Sequence, residues 1–74
     1  MKLPKGNTVF CANLSRLRSQ ACLTQEQLAE KSGLHWRYVQ KLERPQANPS
    51  LKVLYGLKKA LTCSWNDLLG NGPQ

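Results

Sequence analysis

Hydrophobic residues recur at helical spacing in the first part of the chain. These residues are Phe10, Leu14, Leu17 and Ala21. Side chains three or four positions apart lie on one face of an α-helix, so the pattern predicts an amphipathic first helix from Thr8 to about Gln20. We expect its polar side to carry Asn13, Ser15 and Arg16.

The next positions predict two short helices joined by a tight turn. Thr24, followed three residues later by Gln27, has the capping-box spacing and predicts a second helix from about Gln25 to Lys31. Gly33 can adopt the left-handed conformation that a sharp turn requires. A third helix is predicted from about Trp36 to Arg44.

Two prolines, Pro45 and Pro49, predict a loop after the third helix because proline interrupts helical hydrogen bonding. Ser50 is the predicted N-cap of a fourth helix. The apolar stripe of this helix is predicted to be Leu51, Leu54, Leu57 and Leu61. The segment Ser64–Asp67 has capping-box character and predicts a short fifth helix that ends at Gly70.

The chain as a whole reads as one all-α domain. No segment shows the alternation of a strand, and there is no internal repeat. Its 74 residues suit a single domain spanning residues 1–74, with a core of about 8–70 and a frayed tail over 71–74. A chain of this size has little room for both a core and a deep substrate cavity.

The charge balance favours a polyanionic partner. Eleven Lys and Arg residues oppose four Asp and Glu residues, which gives a net charge of +7. Double-stranded DNA is the leading partner, and the alternative is that basic charge merely keeps a small protein soluble. One histidine and four scattered acids offer no catalytic arrangement, so we expect no enzyme.

The three cysteines and the single histidine do not form a metal site. Cys11, Cys22 and Cys63 include no C-x-x-C pair, and His35 has no second histidine nearby. Free thiols, no metal and no cofactor are therefore expected, and Cys11 and Cys22 are too far apart along the chain for a disulfide. The absence of a long apolar run and of a signal-peptide pattern predicts a cytoplasmic protein that contacts no membrane.

The third predicted helix has two chemically different faces. Val39 and Leu42 fall on one side, with His35 and Tyr38 at its edges. The opposite arc holds Trp36, Arg37, Gln40 and Lys41. Two helices joined by a glycine turn form a helix-turn-helix, whose second helix docks in the major groove of DNA. The polar arc is therefore predicted to read bases: Arg37 and Lys41 suit guanine, Gln40 suits adenine and Trp36 can cover a thymine methyl. The alternatives are a solvated polar face and a Trp36 that packs on the second helix.

The motif closely resembles the phage-repressor and Cro family, also called XRE-type. The resemblance covers roughly Leu14 to Leu69. It rests on the segment Thr24–Leu34, on Val39, on Leu42-Glu43, on Asn48–Leu51 and on Ala60-Leu61, all in register. It implies a five-helix, lambda-repressor-like DNA-binding domain that regulates transcription. In similar repressors the positions of Trp36, Arg37 and Lys41 are the usual base readers.

The chain departs from the family where helices end. Cys22 and Thr62 stand where the family commonly has glycine, and Pro45 replaces another glycine. Because a β-branched residue resists the left-handed conformation, we expect the end of the fourth helix to be rebuilt at Thr62.

Phosphate contacts are predicted around the third helix, which we call the reading helix because its polar arc is predicted to read bases. The start of the second helix offers free N–H groups and the positive end of a helix dipole, and the family places a phosphate-contacting Gln at the position of Gln25. The candidate phosphate-binding residues are Thr24, Gln25, His35, Tyr38, Arg44, Asn48 and Lys52. His35 is expected to cap the third helix or to contact a phosphate.

The last expectations concern an ion pair within the chain, the pairing of two copies and an alternative function. The resemblance implies an ion pair between Arg18 and Glu43, both at the border of an apolar stripe. Because one reading helix covers only about four or five base pairs, we expect a homodimer on a palindromic operator, paired through Trp65, Leu68 and Leu69. The alternative function is an antitoxin-like or other protein-binding module of the XRE type.

Overall fold

The computed structural model describes residues 8–70, and within this range the chain forms five α-helices and no strand. The helices are α1 (Thr8–Gln20), α2 (Gln25–Ser32), α3 (Trp36–Leu42), α4 (Leu51–Leu61) and α5 (Trp65–Leu69). The predicted all-α class is confirmed. Two expectations concern residues outside this range: that the start of the chain is not a signal peptide, and that the tail over 71–74 is frayed.

Side-chain caps determine where four of the helices, α2 to α5, begin. Thr24 Oγ1 accepts from the Gln27 backbone N–H at 3.0 Å, while Gln27 Oε1 accepts from the Thr24 N–H at 2.8 Å, which completes the predicted capping box. Ser64 and Asp67 repeat this arrangement at the start of α5. Ser50 Oγ accepts from the Val53 N–H at the start of α4.

Three helix ends turn through left-handed residues, and the one after α1 is Cys22, with φ 60°. Gly33 ends α2 with φ 73°, as predicted for the sharp turn before α3. Thr62 ends α4 with φ 51° and ψ 50°, so the expectation that this end would be rebuilt to avoid the left-handed region is wrong. The Thr62 N–H bonds to the carbonyls of Lys58 and Lys59, and these bonds hold the unfavourable conformation in place.

Helix α3 is shorter than predicted. It ends at Leu42 instead of Arg44, and Glu43 forms its C-cap with φ −88° and ψ 8°. Pro45 accounts for the early end, because the residue that precedes a proline is pushed out of the helical conformation. Arg44 therefore belongs to the loop that leads to α4.

The core is formed by one buried side chain or more from each helix. The fully buried side chains are Leu14, Leu28, Val39, Leu42, Leu57 and Leu68. Leu68 has no exposed surface, so the prediction that it contributes to a dimer contact is wrong. Leu51 is 74% exposed and does not belong to the apolar stripe of α4, because it lies a sixth of a turn or more away from Leu54, Leu57 and Leu61 on the helix.

Asn13 connects α1 to the end of α5. The sequence pattern placed it on the solvent side of α1, but it is only 4% exposed. Its side-chain amide donates to the backbone carbonyls of Leu68 at 3.0 Å and Gly70 at 2.7 Å. The prediction was wrong because a polar side chain beside the stripe can be buried when it satisfies carbonyls left open at a helix end.

The helix-turn-helix packs on the rest of the fold mainly through α2. Helix α2 packs against both α3 and α4, and α1 packs against α5. This arrangement buries one side of α3 and leaves its other side open to solvent. None of the helices within residues 8–70 is both long and apolar enough to cross a bilayer.

Candidate nucleic-acid interface

The outward side of α3 carries four exposed side chains that suit a DNA groove. They are Trp36, Arg37, Gln40 and Lys41. Val39 and Leu42 on the inward side are 0% and 1% exposed, so the helix cannot rotate its polar residues inward without uncovering the core. The four candidate base readers therefore share one open face.

Trp36 and Arg37 form a pair at the start of this face. The Arg37 guanidinium lies 5.9 Å from the centroid of the Trp36 ring, within the range of a cation–π contact. Trp36 keeps 36% of its surface exposed, so it is not enclosed by α2. The indole and guanidinium together present a flat, cationic surface that suits both base edges and the sugar-phosphate backbone.

His35 is the N-cap of α3. Its Nδ1 accepts from the Arg37 backbone N–H at 3.1 Å, which requires an unprotonated Nδ1. The opposite ring nitrogen, Nε2, is then the donor that remains available to a phosphate oxygen. The cap and a phosphate contact are compatible, since they use different atoms of the same exposed imidazole.

The start of α2 combines a capped helix end with a side chain that points inward. Thr24 is exposed, and its hydroxyl is engaged by the Gln27 N–H. The side chain of Gln25 is half-buried, and its Nε2 donates to Glu43 Oε1 at 3.1 Å. This bond directs the Gln25 amide toward the end of α3, whereas the sequence suggested only an outward phosphate contact. With the Gln27 N–H taken by the cap, the backbone N–H groups of Gln25 and Glu26 are the ones in the first turn that can meet an anion.

Arg18 completes a network around the same carboxylate. Its Nε donates to Glu43 Oε2 at 2.6 Å and its Nη2 to Glu43 Oε1 at 3.2 Å, which is the bidentate geometry. Its Nη1 donates to the Leu23 carbonyl at 2.8 Å. One carboxylate thus connects α1, the start of α2 and the end of α3.

Three of the remaining candidate phosphate-binding residues, Tyr38, Arg44 and Asn48, line one surface pocket together with Lys41, and Lys52 is not among its lining residues. Arg44 and Asn48 are exposed in the loop before α4, and Lys52 is exposed in the first turn of α4. Tyr38 is half-buried, with part of its surface packed against the core. Gln46, which no sequence signal marked, lies in the same loop and lines this pocket as well.

The described residues hold no arrangement suited to a metal. Among residues 8–70, no three His, Cys, Asp or Glu side chains are grouped so as to hold an ion. Cys22 and Cys63 are free thiols, and Cys11 is buried. Burial raises the pKa of the Cys63 thiol, the nearby Asp67 carboxylate raises it further, and Lys58 opposes the shift. Cys63 is therefore a poor nucleophile at neutral pH.

Comparison with known proteins identifies the family of this fold. A model of the helix-turn-helix family matches residues 14–68, which span all of α2, α3 and α4. The chain belongs to the XRE-type helix-turn-helix family. As a member, it is a DNA-binding transcriptional regulator, and α2 and α3 are its helix-turn-helix.

Individual members of the family resemble the chain over most of its length. An uncharacterised HTH-type transcriptional regulator of Sinorhizobium fredii, y4dJ, is 40% identical over 58 residues, which cover 78% of this chain and 75% of that protein. The control protein C.SmaI of Serratia marcescens is 43% identical over 61 residues, or 82% of this chain and 73% of that protein. The crystal structure of the restriction-modification controller protein C.AhdI from Aeromonas hydrophila superposes with a TM-score of 0.78 at 39% identity, covering 82% of this chain and 92% of that one.

This helix-turn-helix protein also exposes apolar side chains away from the reading face. Leu51 and Tyr55 on α4 are 74% and 55% exposed, and Trp65 and Leu69 on α5 are 38% and 45% exposed. We call these four residues the apolar face. Lys58, which shares the arc of Leu51 and Tyr55 on α4, places its Nζ 5.5 Å from the centroid of the Trp65 ring. This contact links α4 to the first residue of α5.

Proposed function

We propose that the protein binds a palindromic DNA operator as a homodimer and thereby represses transcription, including that of its own gene. The observation that carries this proposal is the outward side of α3, where four exposed side chains face away from a fully buried apolar side. A helix of this kind fits the major groove, which is about 12 Å wide and displays a distinct pattern for each base pair.

Base reading is assigned to the outward side of α3. Arg37 offers a bidentate fork to guanine O6 and N7, and Lys41, one turn later, reaches a second guanine. Gln40 pairs with adenine through its amide, and Trp36 covers a thymine methyl. The stacking of Arg37 near the Trp36 ring supports this assignment, because it limits the freedom of both side chains before DNA binds.

Phosphate binding is assigned to groups on either side of the reading helix. Thr24, the backbone N–H of Gln25 and His35 Nε2 lie at helix starts, where an anion is favoured by the dipole. The second strand is held by Tyr38, Arg44, Asn48 and Lys52. These contacts orient α3 but carry no sequence information.

Dimerisation is assigned to the apolar face. One reading helix specifies too few base pairs for a useful operator, so two copies related by a twofold axis place their α3 helices about 34 Å apart. Leu51, Tyr55, Trp65 and Leu69 supply the exposed aromatic and aliphatic surface that such a contact needs. Trp65 and Leu69 remain from the sequence-based expectation, and Leu51 and Tyr55 replace the buried Leu68.

The similarity to two control proteins supports a regulator of the controller type. Because its target is DNA, we place its action in the cytoplasm.

A second candidate function is an antitoxin-like or other protein-binding role. The apolar face favours it, since exposed tyrosine and tryptophan are common anchors of protein interfaces. A partner protein and a second copy of this chain compete for the same four residues. Sedimentation of the purified protein distinguishes them, because a dimer forms without any partner.

Selection of bound sites from randomised duplex DNA, followed by salt titration, tests the proposed function. We expect a palindromic site, a steep fall of affinity with rising salt, and a loss of about 1–3 kcal/mol for Arg37→Ala on that site with little loss on random duplex. Lys52→Ala is the matched charge control and should weaken both duplexes similarly. A monomer on its best site, or equal losses for Arg37→Ala on both duplexes, contradicts the proposal.

A further inference from the structure

A surface pocket of about 330 Å³ lies between α3 and the loop that follows it. Its floor is formed by Leu42, Ala47 and part of Tyr38, which also pack on the core. The pocket volume is at the lower end of the range of small-molecule sites, roughly 300–1,000 Å³. The pocket is therefore suited to a compact ligand that has an apolar surface.

The rim of the pocket is cationic. Lys41 and Arg44 line it and are both exposed, and no carboxylate is among the lining residues. Within residues 8–70 the structure has one salt bridge, between Arg18 and Glu43, so neither rim cation is neutralised by an ion pair there. A rim with two cations and no acid attracts an anion and disfavours a cationic ligand.

The rest of the lining recognises a flat, polar ring. Tyr38 supplies an aromatic surface, and the planar guanidinium of Arg44 can stack on a ring as well as pair with an anion. The side-chain amides of Gln46 and Asn48 each offer donors and an acceptor, which is the combination that pairs with the edge of a heterocycle. An organic phosphate that carries a nucleobase combines all of these features.

We propose that this pocket binds a free mononucleotide, with the phosphate at Lys41 and Arg44 and the base on the floor beside Tyr38. Four of the lining residues also have a proposed DNA contact, so the nucleotide and the operator compete for the same side chains. They are Tyr38, Lys41, Arg44 and Asn48. The nucleotide is then a ligand that releases the protein from DNA. This competition rests on the proposed function, but nucleotide binding itself does not.

Direct titration without DNA tests the site. Thymidine 5′-monophosphate, ribose 5-phosphate and inorganic phosphate are titrated separately against the full chain by calorimetry, and amide chemical shifts of Tyr38 and Ala47 report the location. We expect the nucleotide to bind at least about tenfold more tightly than either baseless phosphate, because only the nucleotide fills the floor. Equal affinities for the three probes, or no nucleotide binding at millimolar concentration, overturn the proposal.

Matched variants separate the pocket from general basicity. Arg44→Ala removes one rim cation and should weaken nucleotide binding by about tenfold or more, whereas Lys31→Ala removes an exposed cation of α2 outside the pocket and should change it less than about twofold. Gln46→Ala leaves the net charge unchanged and should reduce the preference for the nucleotide over ribose 5-phosphate. Equal effects of Arg44→Ala and Lys31→Ala overturn the site.

Competition on DNA tests the consequence. Saturating thymidine 5′-monophosphate should raise the apparent Kd of the wild-type protein for its duplex by about tenfold, and ribose 5-phosphate at the same ionic strength should not. If the nucleotide binds the pocket but leaves the duplex affinity unchanged, the release of DNA is overturned while the site stands. If the protein binds no duplex at all, the proposed function fails, and the direct titration still decides the site.

Discussion

Arg18 on α1 donates two hydrogen bonds to the carboxylate of Glu43 at the end of α3, one of 2.6 Å from Nε and one of 3.2 Å from Nη2. The side chains of Arg18 and Glu43 are 18% and 9% exposed, so the pair is shielded from much of the solvent. Gln25 at the start of α2 donates to the same carboxylate. Through these bonds the Glu43 carboxylate connects α1 to both ends of the helix-turn-helix on which DNA contacts are proposed.

Removal of one partner of this pair should cost more than removal of both. Glu43→Ala leaves Arg18 partly buried without its carboxylate and should lower the free energy of unfolding by up to about 3–5 kcal/mol. Denaturant melts of Arg18→Ala, Glu43→Ala and the double variant measure the coupling, which we expect to exceed about 1 kcal/mol.

Glu43→Gln is the control for this cycle. It keeps the size of the side chain and one acceptor, so the difference between Glu43→Gln and Glu43→Ala isolates the hydrogen bonding from the charge. Small and additive losses for Arg18→Ala and Glu43→Ala would mean that the two residues do not stabilise one another, as expected for a solvent-exposed pair.

The cap of α5 should weaken in acid. The Ser64 backbone N–H lowers the pKa of Asp67 below its ordinary value of 3.8, and the Ser64 hydroxyl and the nearby Arg16 lower it further. A carboxyl group with a lower pKa in the folded state stabilises the protein fully above its unfolded pKa, and this contribution is lost as the pH falls through the folded value. The stabilisation is therefore present at neutral pH and declines below about pH 4.

Thermal melts of Asp67→Asn between pH 7 and pH 3 measure this contribution. The variant keeps an acceptor for the Ser64 N–H but carries no charge, so its deficit in Tm relative to wild type should shrink as the pH falls. Glu30→Gln removes an exposed acid that caps no helix in this way and serves as the control. A deficit for Asp67→Asn that is constant with pH would contradict the role of the ionised cap.

The fold was largely predictable from local sequence signals, and the exceptions have physical causes. Thr24 and Ser64 predict helix starts because each N-cap residue and its capping-box partner are only three residues apart in the chain. Asn13 and Leu51 were misplaced because their burial depends on what other helices bring to them. Asn13 is buried where its amide donates to the carbonyls of Leu68 and Gly70 at the end of α5. Leu51 stays 74% exposed because no other helix packs over it.

The candidate site divides in the same way. The outward face of α3 follows from helical periodicity, so the exposure of Arg37 and Lys41 was predictable from spacing alone, and their role in base reading stays a prediction. The inward bond of Gln25 and the pocket beside Gln46 depend on the relative positions of helices and on a loop between two prolines. Those positions have no signature within one segment of the sequence.

Glycine at position 62 should stabilise the protein. Thr62 is exposed and holds φ 51°, a conformation that costs an L-residue with a side chain about 1–2 kcal/mol. Glycine removes this cost, but it also raises the conformational entropy of the unfolded chain, which opposes folding. Thr62→Gly should therefore raise the free energy of unfolding by about 0.5–1 kcal/mol. Thr62→Ala, which keeps the Cβ, is the control and should gain less. A destabilised Thr62→Gly would show that the threonine side chain makes a stabilising contact.

Asn13 should control the position of α5 and, through it, the assembly of the protein. Its amide satisfies the Leu68 and Gly70 carbonyls, and the Gly70 site admits no larger residue, since a Cβ there would lie 2.5 Å from the Asn66 carbonyl oxygen. Asn13→Ala leaves both carbonyls without this donor and should lower the free energy of unfolding by about 1–3 kcal/mol. Asn13→Asp should cost more at neutral pH, because a buried carboxylate would face two carbonyl oxygens.

The two Asn13 variants also test the proposed dimer contact. Trp65 and Leu69 of the apolar face lie on α5, so a displaced α5 should weaken dimerisation by more than the loss of monomer stability explains. Sedimentation equilibrium at a temperature where Asn13→Ala remains folded measures this effect, with Ser15→Ala on the same helix as the control. If Asn13→Ala dimerises as tightly as Ser15→Ala, α5 does not contribute to the contact, and Leu51 and Tyr55 on α4 must supply it.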